Sequence, residues 1–193
     1  CAMSDGLVEL TTEQRVRLLQ IARKTIFHWV SRNTFPSLEE EDQRLHSMEG
    51  AFVSLHIGDR LRGCIGRFDG SAPLYKTVME MAVGAAFEDP RCPPLRTDEV
   101  PRTDIELSIL SPLEVVDASA VDVGKHGLLI SQGRARGTLL PQVATQFEWT
   151  REEFLSQTCQ KGGMDATAWQ QDDCVIRVFE ADVFSESQMR PVR

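Results

Sequence analysis

Gly50-Ala51-Phe52-Val53-Ser54-Leu55-His56-Ile57-Gly58, then Asp59 and Arg60-Leu61-Arg62-Gly63-Cys64-Ile65-Gly66-Arg67, is the stretch that decides the fold. The first nine residues read as a strand, with Phe52 or Val53 turned inward and its neighbours outward. Gly58-Asp59 supplies a tight turn, and the arginine-rich run returns as a second strand. A hairpin of this kind predicts an antiparallel sheet. It also predicts that Cys64 lies toward the far end of its strand, opposite the region of Phe52.

The second half of the hairpin carries chemistry as well as structure. Cys64 stands between Gly63 and Gly66, neither of which has a Cβ to crowd an incoming group. Arg60, Arg62 and Arg67 lie within four residues of it in an otherwise acidic chain. A guanidinium aimed at the sulfur would favour the thiolate and make Cys64 a nucleophile. Alternatively, Arg62 and Arg67, together with the exposed N–H groups of Gly63 and Gly66, would hold a carboxylate or phosphate. Against both stands a plain reading: Cys64 is a small buried residue, Leu61 and Ile65 pack, and the arginines face water.

Working outward, Thr11 and Gln14 form an N-capping box. Val16, Leu18, Leu19, Ala22, Ile26, Phe27 and Val30 then recur at helical spacing, predicting a helix over about 12–31. The acidic run within residues 37–48 reads as a solvated linker. Pro73 opens a second helix with Leu74, Val78, Met81, Ala82, Ala85 and Ala86 as its apolar stripe, and it ends at Glu88-Asp89-Pro90. Residues 91–101 form a proline-rich fixed loop, in which Arg91 and Arg96 read chiefly as surface cover. Residues 103–111 alternate as a half-buried strand, with Ile105, Leu107 and Ile109 on one face. Glu106, on the other face, is expected either to pair with an arginine of the Cys64 strand or to face a cleft, as a structural or orienting ion-pair partner in preference to a general base.

His126, in a glycine-bounded turn before a hairpin over 128–140, is the best general-base candidate, provided its ring reaches Cys64. Thr150 and Glu153 cap a further helix carrying Phe154, Leu155 and Cys159. Trp149 and Trp169 read as core anchors, and residues 173–184 as one last strand.

Composition narrows the function classes. The 193 residues suit one domain, 1–193, and the net charge of −8 argues against a nucleic-acid partner, whose phosphates need a basic face. No run reaches the length of a membrane span and no apolar leader opens the chain, so no membrane or secretion is expected. The five cysteines, Cys1, Cys64, Cys92, Cys159 and Cys174, form no close pair and no zinc-spaced cluster. The expectation is therefore free thiols in the reducing cytoplasm, with no metal and no cofactor. Neither a phosphate-binding glycine loop nor a dinucleotide fingerprint is present.

Leu61-Arg62-Gly63-Cys64-Ile65-Gly66 is identical to the LRGCIG signature of the AMMECR1 domain family. Further segments resemble that family in order: residues 104–111, His126-Gly127-Leu128, the run 137–143, and Trp149 with Phe154-Leu155. The resemblance implies an α+β fold with a mainly antiparallel sheet and flanking helices. It also implies two lobes, the smaller from the middle of the chain, with the LRGCIG segment lining a cleft between them. The family's activity is poorly defined, and two functions stay open. One is a cysteine-based enzyme or modifying protein: Cys64 is the nucleophile, Arg62 or Arg67 binds a small anionic substrate, His126 handles the proton and Glu106 orients a cation. The other is a non-catalytic binding or adaptor module for a protein partner, a Memo-like or radical-SAM-type protein by the resemblance, with a regulatory role.

Overall fold

The computed structural model describes residues 9–189, so Cys1 lies outside the described residues. The fold is α+β, with two four-stranded antiparallel sheets and flanking helices. By contacts the chain divides into two units: one runs through Leu110 and resumes at Asp182, and the other spans Ser111–Ala181.

In the first unit, helix α1 (Thr12–Arg32) begins at a complete capping box: Thr11 accepts from the Gln14 amide and the Gln14 side chain accepts from the Thr11 amide. Strands β1 (Gly50–Ile57) and β2 (Arg60–Arg67) form the hairpin, turning at Gly58, whose φ of 57° is left-handed. Helix α2 (Leu74–Val83) and strand β3 (Asp104–Leu110) follow. The sheet order is β2-β1-β3-β8, with β8 (Ala181–Ser185) contributed by the far end of the chain. Val53, Leu55, Ile105, Leu107 and Ile109 bury one face of this sheet against Leu18, Ala22, Ile26, Leu74, Val78 and Ala82 of the two helices.

Two readings change here. The stretch 37–48 is anchored rather than solvated: Leu45 is fully buried, Glu40 pairs with Arg17 at 2.8 Å, and Arg44 pairs with Glu49 at 2.5 Å. Such a run is invisible to periodicity because ion pairs hold it, and the partner of Glu40 lies 23 positions away. The last strand, in turn, is two strands. Strand β7 (Cys174–Phe179) lies in the second sheet and β8 in the first, the chain changing sheets at Glu180.

The second unit contains β4 (Glu114–Val115), the hairpin β5 (Gly127–Gln132) and β6 (Ala135–Leu139), helices α3 (Pro141–Gln146) and α4 (Arg151–Lys161), and β7, in sheet order β4-β7-β5-β6. Leu128, Ile130, Ile176 and Val178 pack against Phe154, Leu155 and Cys159, with Trp149 and Trp169 at the margin of this core. The Thr150–Glu153 capping box starts α4. Cys159 is core filling, and burial pushes its thiol up to about 11.

Candidate functional site

Register places Cys64 more informatively than strand assignment alone. Between β1 and β2, Leu55 faces Gly63 but His56 faces Leu61, so Arg62 is the extra residue of a bulge. Beyond the bulge Cys64 sits directly opposite Ser54, not Phe52, in the middle of its strand. On its other side Ser54 is opposite Glu106 of β3. A thiol, a hydroxyl and a carboxylate thus form one row across β2, β1 and β3, on the sheet face away from the helices. His56 and Asp104 occupy the next row on the same face.

The backbone around Cys64 tightens this row. β2 is an edge strand, and the outward N–H and C=O of Cys64 are not left open. The Cys64 amide donates to Asp89 Oδ2 at 2.8 Å, and Arg91 Nη2 donates to the Cys64 carbonyl at 3.0 Å. Arg91 in turn grips both carboxylate oxygens of Asp89, from Nε at 3.0 Å and Nη2 at 2.7 Å. This side-chain bridge does for the edge what a neighbouring strand would do. Because the polar groups of Cys64 point outward, the Cys64–Ser54 pair is of the non-hydrogen-bonded kind, in which facing side chains approach most closely. Ser54 Oγ accordingly donates to Cys64 Sγ at 3.2 Å.

Asp89 reaches this position because α2 ends in a wide π turn, Gly84–Glu88. Its side chain is only 1% exposed, and the Arg91 hydrogen bonds hold its carboxyl far below the usual carboxylate range. The same pairing raises the already high proton affinity of Arg91.

The flanking glycines have another purpose than ligand access. A Cβ on Gly63 would lie 1.9 Å from the Ala85 carbonyl oxygen in the π turn, and one on Gly66 would lie 2.2 Å from the Phe52 ring. Both are close-packing positions.

The arginines are likewise occupied. Arg62, 2% exposed, donates to Glu99 from Nε at 3.0 Å and Nη2 at 2.7 Å, and to the carbonyls of Pro93 and Pro94 at 2.7 and 3.2 Å. It staples the proline-rich loop to the bulge, and it holds the Glu99 carboxyl down to about 2. Arg67 donates to Glu80 at 2.8 Å and Thr77 at 3.1 Å. Of the residues expected to hold a small anion, Arg62 and Arg67 are thus each paired with a carboxylate, and Gly63 and Gly66 sit in packing contacts.

Glu106 makes no ion pair with an arginine among the described residues. Burial, foremost, raises its carboxyl above the ordinary value; the charge of Asp104 adds to this and His56 opposes it. His126 belongs to the other unit, where its Nδ1 accepts from the Asp122 amide at 3.1 Å. In the neutral ring that leaves the proton on Nε2, so the nitrogen a general base would use is already engaged. Sequence reasoning missed Ser54 and Asp89 altogether and undervalued Arg91. The signal for Asp89 was its position just past the second helix, where the chain turns back toward the hairpin.

Among the described residues no group of acidic, histidine and cysteine side chains could hold a metal ion, and no helix is long and apolar enough to cross a membrane.

Comparison with known proteins places this architecture. Protein MK0488 of Methanopyrus kandleri is 39% identical over 196 residues, covering 96% of this chain and 95% of its own. Protein TK0174 of Thermococcus kodakarensis is 35% identical over 189 residues, covering 91% and 92%. The crystal structure of the uncharacterized protein PH0010 from Pyrococcus horikoshii superposes with a TM-score of 0.84 at 31% identity, covering 90% of this chain and 92% of that one. The AMMECR1 family model matches residues 19–184, both sheets and the whole Cys64 row included, and the chain belongs to the AMMECR1 family.

Proposed function

We propose that the Cys64–Ser54–Glu106 row is a thiol-based reaction site acting on a small electrophile. The observation that carries this reading is the juxtaposition itself: a half-buried thiol with a hydroxyl donating to its sulfur, and a carboxyl of raised proton affinity one strand farther on. A hydroxyl hydrogen bond to sulfur stabilises the developing thiolate, as donors near a reactive thiol do. Glu106 stands two strands away, beyond hydrogen-bond reach of the sulfur, so the thiol proton passes to water. The Sγ lone pair then forms a bond to the electrophilic carbon, and the leaving group departs with its electron pair, taking a proton from water where it needs one. The Asp89–Arg91 bridge fixes the Cys64 backbone from the open edge, so the sulfur is held rather than presented on a loose strand. In this scheme His126 has no part.

The test is site-resolved alkylation by iodoacetamide at neutral pH, read by peptide mass against N-acetylcysteine as a free thiol. Cys64 is expected to react faster than the free thiol, Cys64→Ser to lose the label, and Ser54→Ala to slow it several-fold. Alkylation of Cys64 no faster than the free thiol, or indifferent to Ser54→Ala, would remove the reading.

A further inference from the structure

The charges around the row select its substrate. Three of the four arginines near Cys64 are matched, Arg62 by Glu99, Arg67 by Glu80 and Arg91 by Asp89, while Arg60, at the turn end of β2 opposite Ile57, makes no ion pair among the described residues. On the face of the sheet away from the helices the balance runs the other way. Asp104 is a second carboxyl on this face, satisfied by Ser187, whose N and Oγ donate at 2.9 and 2.8 Å. Glu106 has no hydrogen-bond donor among the described residues, although it is half-buried and its neighbour in the row is a hydroxyl. The imidazole of His56 is the one basic side chain on these rows. A partly desolvated carboxylate without a donor is a receptor awaiting one.

We infer that this site takes an electrophile bearing a cationic, N–H-donating group, such as an amidinium, guanidinium or ammonium, seated on Glu106 with its reactive carbon at Cys64. Cys64 and Glu106 stand two strands apart, roughly 10 Å between backbones, and their side chains rise from the same face. The intervening Ser54 is small, so a molecule with only a few atoms between its reactive carbon and its cationic group spans the row. The inference rests on the thiol reading above and reverses the anionic substrate expected from the arginine count.

Three probes of similar size and different charge test it: chloroacetamidine, a cation; chloroacetamide, neutral; and chloroacetate, an anion. Alkylation rates at Cys64 are each normalised to the same reagent's rate with N-acetylcysteine. The normalised cation-to-anion ratio is expected to exceed unity by about tenfold at low salt, and to shrink as salt is added. Glu106→Gln should bring it near unity while the neutral probe still labels Cys64. The salt series on the unsubstituted protein supplies the same answer if that variant folds poorly. A ratio at or below unity with Cys64 still reactive overturns the cationic substrate and leaves the thiol site standing. A ratio that survives Glu106→Gln overturns the assignment of Glu106 as receptor. Failure of Cys64 to react with any probe sinks the thiol reading instead.

Discussion

The two sheets solve one packing problem the same way and then part company. In the first, Gly63 lets the backbone of the π turn come against β2; in the second, Gly137 of β6 lets α4 come equally close, a Cβ there lying 2.0 Å from the Thr158 carbonyl oxygen. Both glycines face helices, and neither faces a ligand. What separates the regions is the opposite face and edge: beside Gly63 stand a thiol, a hydroxyl and an unpaired carboxylate, whereas the second unit offers His126 with its Nδ1 tied into its own turn. A glycine next to a reactive residue is thus a statement about packing. The site has to be read from the other side of the strand.

The sharpest way to break this comparison is to fill the glycines. Gly63→Ala and Gly137→Ala should each cost about 3 kcal/mol or more, since backbone atoms cannot move aside, whereas Gly66→Ala should cost about 2 kcal/mol, because the whole Phe52 side chain must swing to another rotamer. Denaturant midpoints decide this, and equal losses at Gly63 and Gly66 would contradict it. Arg62→Ala should come next, at about 3 kcal/mol, by leaving Glu99 without its cation; its signature is lost stability with little change in Cys64 alkylation. The same pair predicts an acid limb. A carboxyl held down to about 2 contributes stability above its ordinary value, and that contribution fades as pH falls from about 4.5 toward 2. Arg62→Ala should flatten that limb in pH-dependent melts. Asp89→Asn should cost about 2 kcal/mol by weakening charged hydrogen bonds to Arg91 and Cys64, and should also loosen β2 in hydrogen exchange at the Cys64 amide.

Glu106→Gln carries the opposite sign. A carboxyl whose burial raises it favours folding while protonated and loses that advantage as pH rises, so the variant should melt slightly higher than the parent at pH 7 and no higher near pH 4. His126→Ala should be the mildest, within about 1 kcal/mol, with Cys64 reactivity unchanged.

What sequence reading reached, and what it missed, divides by distance along the chain. The capping boxes at Thr11 and Thr150 and the turn at Gly58 are local chemistry, and they stand where spacing put them. The Ser54–Cys64 row depends on one extra residue at Arg62, and no alternation pattern reveals a bulge whose neighbours are glycine and arginine. The occupied states of Arg62 and Arg67 were equally out of reach, because Glu99 lies 37 positions from the former and Glu80 lies 13 from the latter. A cluster of arginines in sequence promised free positive charge. Folding spent it.

The sheet change at Glu180 has a consequence for synthesis. Strand β3 cannot gain its outer neighbour until residues 181–185 have left the ribosome, by which time every other strand has already been made. The hairpin and both of its helices must therefore wait with one flank of β3 unpaired, exposed to aggregation or to a chaperone. Truncation just before Ala181 should yield chains that collapse but precipitate, even though almost all of the hydrophobic interior has been translated.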